Sequence, residues 1–184
     1  MKTMLFKMVA VLVVTLPLML TAQDHPMDKL FAKYAGKDCF TSVSISQDMF
    51  RMLAEIEIES SENGDEDFAE VQKMMAKLSG LKILTFTPGA GCEGINFNQE
   101  VIAAYPMSKY TELMVVQEKG EEARFYILKE NNKIPELLMI AREEDQTIVL
   151  SLTGDIDLKS ISNLGKSMNI EGMENLEKVE EENK

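Results

Sequence analysis

The stretch from residue 111 to residue 153 constrains this chain most. "TELMVVQE", "ARFYILKE", "IPELLMIA" and "TIVLSLT" are four strand-like apolar runs, parted only by "KGE", "NN" and "REEDQ". Polar turns this short let the chain reverse but leave no room for a crossover helix, so they predict an antiparallel four-strand meander. In "ELLMIA" apolar residues fall on consecutive positions, which points to a sheet partly covered on both faces.

Upstream the texture is mixed. "HPMDKLFAKYAG" places Pro26 at a helix start, sets Met27, Leu30, Phe31 and Tyr34 on one face, and stops at Gly36. "FTSVSIS" (40–46) reads as a first strand with Val43 and Ile45 inward. Ser46 then caps a helix whose stripe is Met49, Leu53 and Ile56. After the acidic "ESSENGDED", Asp67 and Glu70 form a capping-box-like pair ahead of Phe68, Val71, Met75 and Leu78, with Gly80 as the helix stop. "KILTFT" (82–87) is a second strand, and "NQEVIAAY" a short helix ending before Pro106.

The first residues carry a different message. Lys2 and Lys7 precede an uncharged apolar run from Met8 to Leu20 and then small residues, the pattern of a secretory leader cut after Ala22. The run is too short for a convincing membrane span, and no cysteine lies near the cut to accept a lipid. About 162 residues remain, enough for one domain with a sizeable core. Losing Lys2 and Lys7 takes the formal charge from −12 to −14. A surface that acidic, with no basic patch, excludes nucleic-acid backbones as partners. The closing "EGMENLEKVEEENK" (171–184) holds six glutamates against two lysines and reads as an acidic tail.

Two cysteines, Cys39 and Cys92, remain in an exported chain, where disulfides form. Cys39 precedes the first strand and Cys92 follows the second. Antiparallel strands would bring both to one end of the sheet. A parallel pair would set them roughly 20 Å apart, beyond the reach of a disulfide. The helices between the two strands favour a parallel crossover, so the expectation is two free thiols.

Candidate chemistry is sparse. Asp155 and Asp157 in "SLTGDIDLKSISNL" resemble a carboxylate pair, yet a strand-to-helix joint explains them: Gly154 and Asp155 as turn, Asp157 as N-cap, and Ile156 with Ile161 as hydrophobic staple. Lys159 and Lys166 occupy the fifth and twelfth places of that stretch read as a calcium loop, which rules it out. "ESSENGDEDFAE" (59–70) fits such a loop better, with Ser61, Asn63, Gly64, Asp67 and Glu70 at ligand or turn positions. Glu59 at position one and Glu66 at position eight argue against it. Met49, Met52, Met74 and Met75 suggest a thioether copper site less than they suggest core packing, since most fall on or beside the apolar stripes. The only histidine, His25, lies just past the leader and is expected to be too mobile to position a base. No serine sits in a nucleophile elbow.

Three stretches taken together, "DKLFAKYAGKDCFTSVSIS", "LKILTFTP" and "ELLMIAREEDQTIVLSLTGDIDLKSISNLGKSMNIEGMENL", resemble the domain-of-unknown-function family numbered 4252, small exported bacterial envelope proteins. The resemblance implies a single compact envelope domain and carries over no catalytic residue. The chain departs from the family pattern at Cys39, where glycine is expected.

The expected architecture is an α+β domain over residues 23–170. It has a mixed sheet of five to six strands ending in the antiparallel four-strand meander, with helices mainly on one face. The expected function is that of a non-catalytic envelope protein, periplasmic or secreted, working through contacts with another envelope protein in stress sensing or assembly. A calcium-binding module on loop 59–70 is the second reading and an unrecognised hydrolase the third. No catalytic residue, cofactor or metal ligand is assigned, and the mature form has no expected transmembrane span. Protein recovered from the envelope fraction is expected to begin at Gln23; an intact mass that retains Met1 there contradicts the leader.

Overall fold

The computed structural model describes residues 25–55 and 65–157. The leader, most of the acidic loop, the helix expected after Asp157 and the acidic tail lie outside those residues. In chain order the elements are α1 (Pro26–Tyr34), β1 (Phe40–Ser46), α2 (Gln47–Ala54), α3 (Asp65–Met75), β2 (Leu78–Phe86), α4 (Phe97–Ala104), a 3₁₀ turn (Met107–Lys109), β3 (Tyr110–Glu118), β4 (Glu121–Glu130), β5 (Lys133–Arg142) and β6 (Thr147–Gly154). No helix among the described residues is long and apolar enough to cross a membrane.

The expected meander is present as β3 to β6. Lys119 (φ 39°) and Gly120 (φ 94°) make the first two-residue turn, and Asn131 (φ 51°) and Asn132 (φ 61°) the second. Two positive φ values in succession match the twist of the flanking strands, and Asn and Gly tolerate them best. The six strands form one sheet in the order β1-β2-β6-β5-β4-β3. The α+β class holds, but every pairing is antiparallel.

That corrects the expected parallel start. α2 begins directly after Ser46, whose partner across the ladder is Gly80, so the long connection returns to the end of the sheet it left. Cys39 and Cys92 therefore emerge together beyond the paired residues Phe40 and Phe86. Their Cα atoms are 6.5 Å apart and they form a disulfide, not two free thiols. Cys39 has φ 66°, a left-handed conformation that glycine adopts freely and an L-residue adopts at a cost of about 1–2 kcal/mol. The glycine expected there fits the backbone; cysteine fits the cross-link.

Gly80 does not stop a helix. β2 begins at Leu78, four residues earlier than expected, and Gly80 lies within it beside Thr153 of β6. A Cβ on Gly80 would meet Thr153 Oγ1 at 3.4 Å and the Ile45 carbonyl at 3.6 Å, ordinary contact distances, so the space there would admit a small side chain.

The sheet buries both faces, which explains the consecutive apolar residues of β5. On one face α1 and α4 contribute Met27, Leu30, Phe97 and Val101, packed on Leu84, Phe86, Leu138, Ile140 and Val149. On the other, Phe50 of α2 and Met74 and Met75 of α3 pack with Leu78, Ile127, Leu137 and Ile156. The helices are thus split between faces rather than gathered on one. Ser46 caps α2 as expected, its Oγ accepting from the Met49 N–H at 3.3 Å. The buried residue of α2 is Phe50, while Met49 and Met52 are exposed. Val43 is exposed as well, because β1 is an edge strand.

The joint after β6 is tight. The Asp155 N–H donates to the Lys77 carbonyl at 3.0 Å and the Ile156 N–H to the Ile134 carbonyl at 3.1 Å. Gly154 has φ 154°, and a Cβ there would lie 2.5 Å from the Lys77 carbonyl oxygen and 2.8 Å from the Leu78 Cα. Gly154→Ala is expected to lower unfolding stability by at least about 2 kcal/mol in a denaturant titration. Alkylation without reductant is expected to label neither cysteine. Replacing both by serine is expected to cost about 4 kcal/mol, the chain-entropy value for a separation of 53 residues.

Candidate functional site

β5 carries a carboxylate where its neighbours are apolar. Glu136 shares its side of the strand with Leu138 and Ile140, faces the α1–α4 layer, and is 1% exposed. An unpartnered carboxylate in such a place would cost several kcal/mol or take up a proton. Four groups surround it. His25 Nε2 lies 2.9 Å from Oε2, and the Tyr110 hydroxyl donates to the same oxygen at 2.5 Å. Ser151 Oγ donates to Oε1 at 2.6 Å, and the Tyr105 hydroxyl stands 3.5 Å from it, at the outer limit of a hydrogen bond.

Each partner is placed by local structure. His25 is the N-cap of α1: Pro26 occupies the first helical turn, and His25 Nδ1 accepts the Met27 N–H at 3.3 Å. Tyr105 ends α4, its backbone N–H donating to the Val101 carbonyl. Tyr110 opens β3, and Ser151 lies two residues from Val149 on the same side of β6. Pro135, which has no N–H, falls where the β4–β5 register shifts and before β6 pairing begins at Glu136, so no ladder bond is lost.

The charges follow from this geometry. Burial pushes the Glu136 carboxyl up, but hydrogen bonds from His25, Ser151 and Tyr110 outweigh it and hold the group below the usual carboxylate range. The bond to Glu136 raises His25 above its ordinary value, against burial. Burial first, and the neighbouring carboxylate second, keep the Tyr105 hydroxyl protonated far above its usual range; burial and the bond to Glu136 do the same for Tyr110.

Chemically this is a fastening. Glu136 is an anion whose two oxygens are engaged, and both nitrogens of His25 are committed, one to the carboxylate and one to the helix. A cleft of about 550 Å³ opens beside it, lined by His25 and Ser151 of the cluster and by Ser44, Ser46, Ser79 and Thr153. Lys82 at its rim is paired with Asp28.

The aspartates that looked most like a site are not part of the cluster. Asp155 is exposed and its carboxylate meets Lys133 at 3.1 Å. Asp157 is the last described residue, and the helix it is expected to cap lies outside them. Of the acidic loop, 59–64 lies outside the described residues, and Asp67 and Glu70 fall within α3. Among the described residues no three His, Cys, Asp or Glu side chains are grouped closely enough to hold a metal ion. His25 is not mobile, as its position suggested, but capped and paired. The signals for this cluster were a histidine directly before a helix-initiating proline and a lone glutamate inside an apolar run.

The fold and site define a class: an α+β domain on one antiparallel six-stranded sheet, held by a buried, internally satisfied carboxylate. The chain belongs to the DUF4252 family, a domain of unknown function, which matches residues 34–164. The match includes Glu136, Tyr105, Tyr110 and Ser151 but starts after His25. No curated protein and no solved structure matches the chain.

Glu136→Ala is expected to destabilise the domain by about 4 kcal/mol, because three close donors are left without their acceptor. Glu136→Gln should cost less, since hydroxyl donors can rotate to become acceptors. The pH profile has two limbs. His25, raised above 6.5, pairs with Glu136 as an imidazolium fully below 6.5 and loses that contribution as pH rises through the raised value, while the Nδ1 cap on Met27, which needs the neutral ring, partly offsets this limb. Glu136, lowered below 4.5, contributes above 4.5 and loses its contribution as pH falls through the lowered value. Stability from the pair therefore peaks between these ordinary values. His25→Asn, which keeps an N-cap, should flatten the alkaline limb in pH-dependent unfolding.

Proposed function

We propose that this chain is an exported, non-catalytic bacterial envelope protein that acts by contact with another envelope protein, in stress sensing or assembly. The observation that carries the reading is the buried cluster: every polar atom that could do chemistry at Glu136 is bonded within the chain. The leader-like residues 1–22 support export, and the net charge of −12 directs the surface away from nucleic acid and anionic lipid. Apolar side chains on the surface, at Met52, Ile102 and Val116, offer contact area.

Crosslinking of the full chain in the native envelope, read by mass spectrometry, is expected to link it reproducibly to a specific envelope protein. Hydrolase activity of the purified chain that disappears in Glu136→Gln while the fold persists would contradict the reading. A calcium-dependent rise in Tm abolished by Glu70→Gln would replace it with cation binding by the acidic loop.

A further inference from the structure

Among the described residues, the sheet face that carries α2 and α3 is only half covered. Its row Ile45, Leu81, Leu152, Leu137 and Ile127 belongs to the cluster with Phe50, Met74, Met75 and Ile156. In the next row the register sets Val43, Ile83, Leu150, Met139, Phe125 and Met114 side by side, one from each of the six strands. None of these six belongs to either buried cluster, and Val43 is 41% exposed. The other five are half-buried, although Leu150 and Met139 lie on the two central strands. A contiguous apolar row of this kind marks a surface that something else covers.

The course of the chain names the occupant. Ile156 is buried in the cluster of this same face, its N–H held by the Ile134 carbonyl, so the chain leaves the described residues on the side of the open row. Residues 158–168 set Leu158, Ile161, Leu164 and Met168 at helical spacing, with Lys159, Asn163 and Lys166 opposite. Ser160, Ser162, Asn163 and Gly165 give the segment poor intrinsic helicity, so a helix there depends on an apolar surface to pack against. As a helix it is about 17 Å long. From Ile134 to Met139 the strand also runs roughly 17 Å, so the segment reaches the row without a linker. The family match, which runs to residue 164, takes in Leu158, Ile161 and Leu164. The segment between α2 and α3, 56–64, carries only Ile56 and Ile58 against Glu57, Glu59 and Glu62, too little to cover six strands. We infer that residues 158–168 form a helix that lies on this row and completes the second core layer. The inference stands apart from the protein-contact reading, because it gives the row to the chain itself and not to a partner.

The full mature chain is prepared with the photo-reactive amino acid p-benzoylphenylalanine in place of Leu164, irradiated, and mapped by mass spectrometry. Cross-links within one chain to Met139, Phe125 or Leu150 are expected. Cross-links to α1 or α4, or none within the chain, overturn the inference. A link between isotope-labelled and unlabelled chains also overturns it, by assigning the row to a second copy. Oxidation by dilute peroxide gives an independent readout, since thioether oxidation follows exposure. Ile161→Asp is expected to speed oxidation of Met139 by about fivefold, while Met27, 1% exposed in the core of the other face, stays protected. Asn163→Asp, on the opposite side of the segment, should leave both rates unchanged. Equal Met139 rates in Ile161→Asp and the unchanged chain overturn the inference. If Met27 loses its protection too, Ile161→Asp has unfolded the domain and the cross-link map decides alone.

Discussion

A carboxylate buried in an apolar layer is tolerated only if its surroundings replace the water it has lost, and at Glu136 they do so from every side. The donors come from the start of α1, the end of α4, the first residue of β3 and the middle of β6. These elements are distant in the chain; His25 and Glu136 are 111 residues apart. One side chain on a central strand therefore fixes where the helical layer and the edge of the meander sit. A hydrophobic residue there would bury as well but would not choose among nearby registers. An anion with directed donors does, because each misplacement leaves a buried donor or acceptor unpaired.

The disulfide performs a related task at the other end of α1. It joins the residue before β1 to the loop before α4, so α1 and α4 are held together near their far ends. Between the two fastenings lies the aromatic packing of Tyr34, Phe40, Phe86 and Phe97, with Tyr34 and Phe40 stacked at 4.4 Å. The Tyr34 hydroxyl and Lys33 both donate to Glu100, tying the helices at the surface. The two fastenings and the aromatic packing between them hold α1 and α4 to this face of the sheet.

Much of the architecture was legible because local signals and tertiary structure agree. Short polar turns gave the meander, and Asn131 and Asn132 supply the two positive φ values it needs. The Ser46 cap and the consecutive apolar residues of β5 had the same clarity. What failed was long-range geometry. Nothing local distinguishes a connection that crosses the sheet from one that returns, so β1 and β2 were paired with the wrong sense and the cysteines separated. Gly80 looked like a helix stop because glycine is common at helix ends, yet it also occurs inside strands, as here in β2. The Glu136 cluster left only local hints, the histidine before Pro26 and the glutamate within an apolar run: its parts run from His25 to Ser151, and only the fold brings them together.

The account depends on Glu136 being an anion in the folded protein, held by its donors, and not a neutral acid forced by burial. Titrating its side-chain carboxyl carbon by nuclear magnetic resonance in the full mature chain tests this directly. The account predicts that the carboxylate titrates below its ordinary value of 4.5 and that its signal follows the state of His25. A midpoint at or above 4.5 would show that desolvation prevails, and that the buried carboxylate is not what organises the fold.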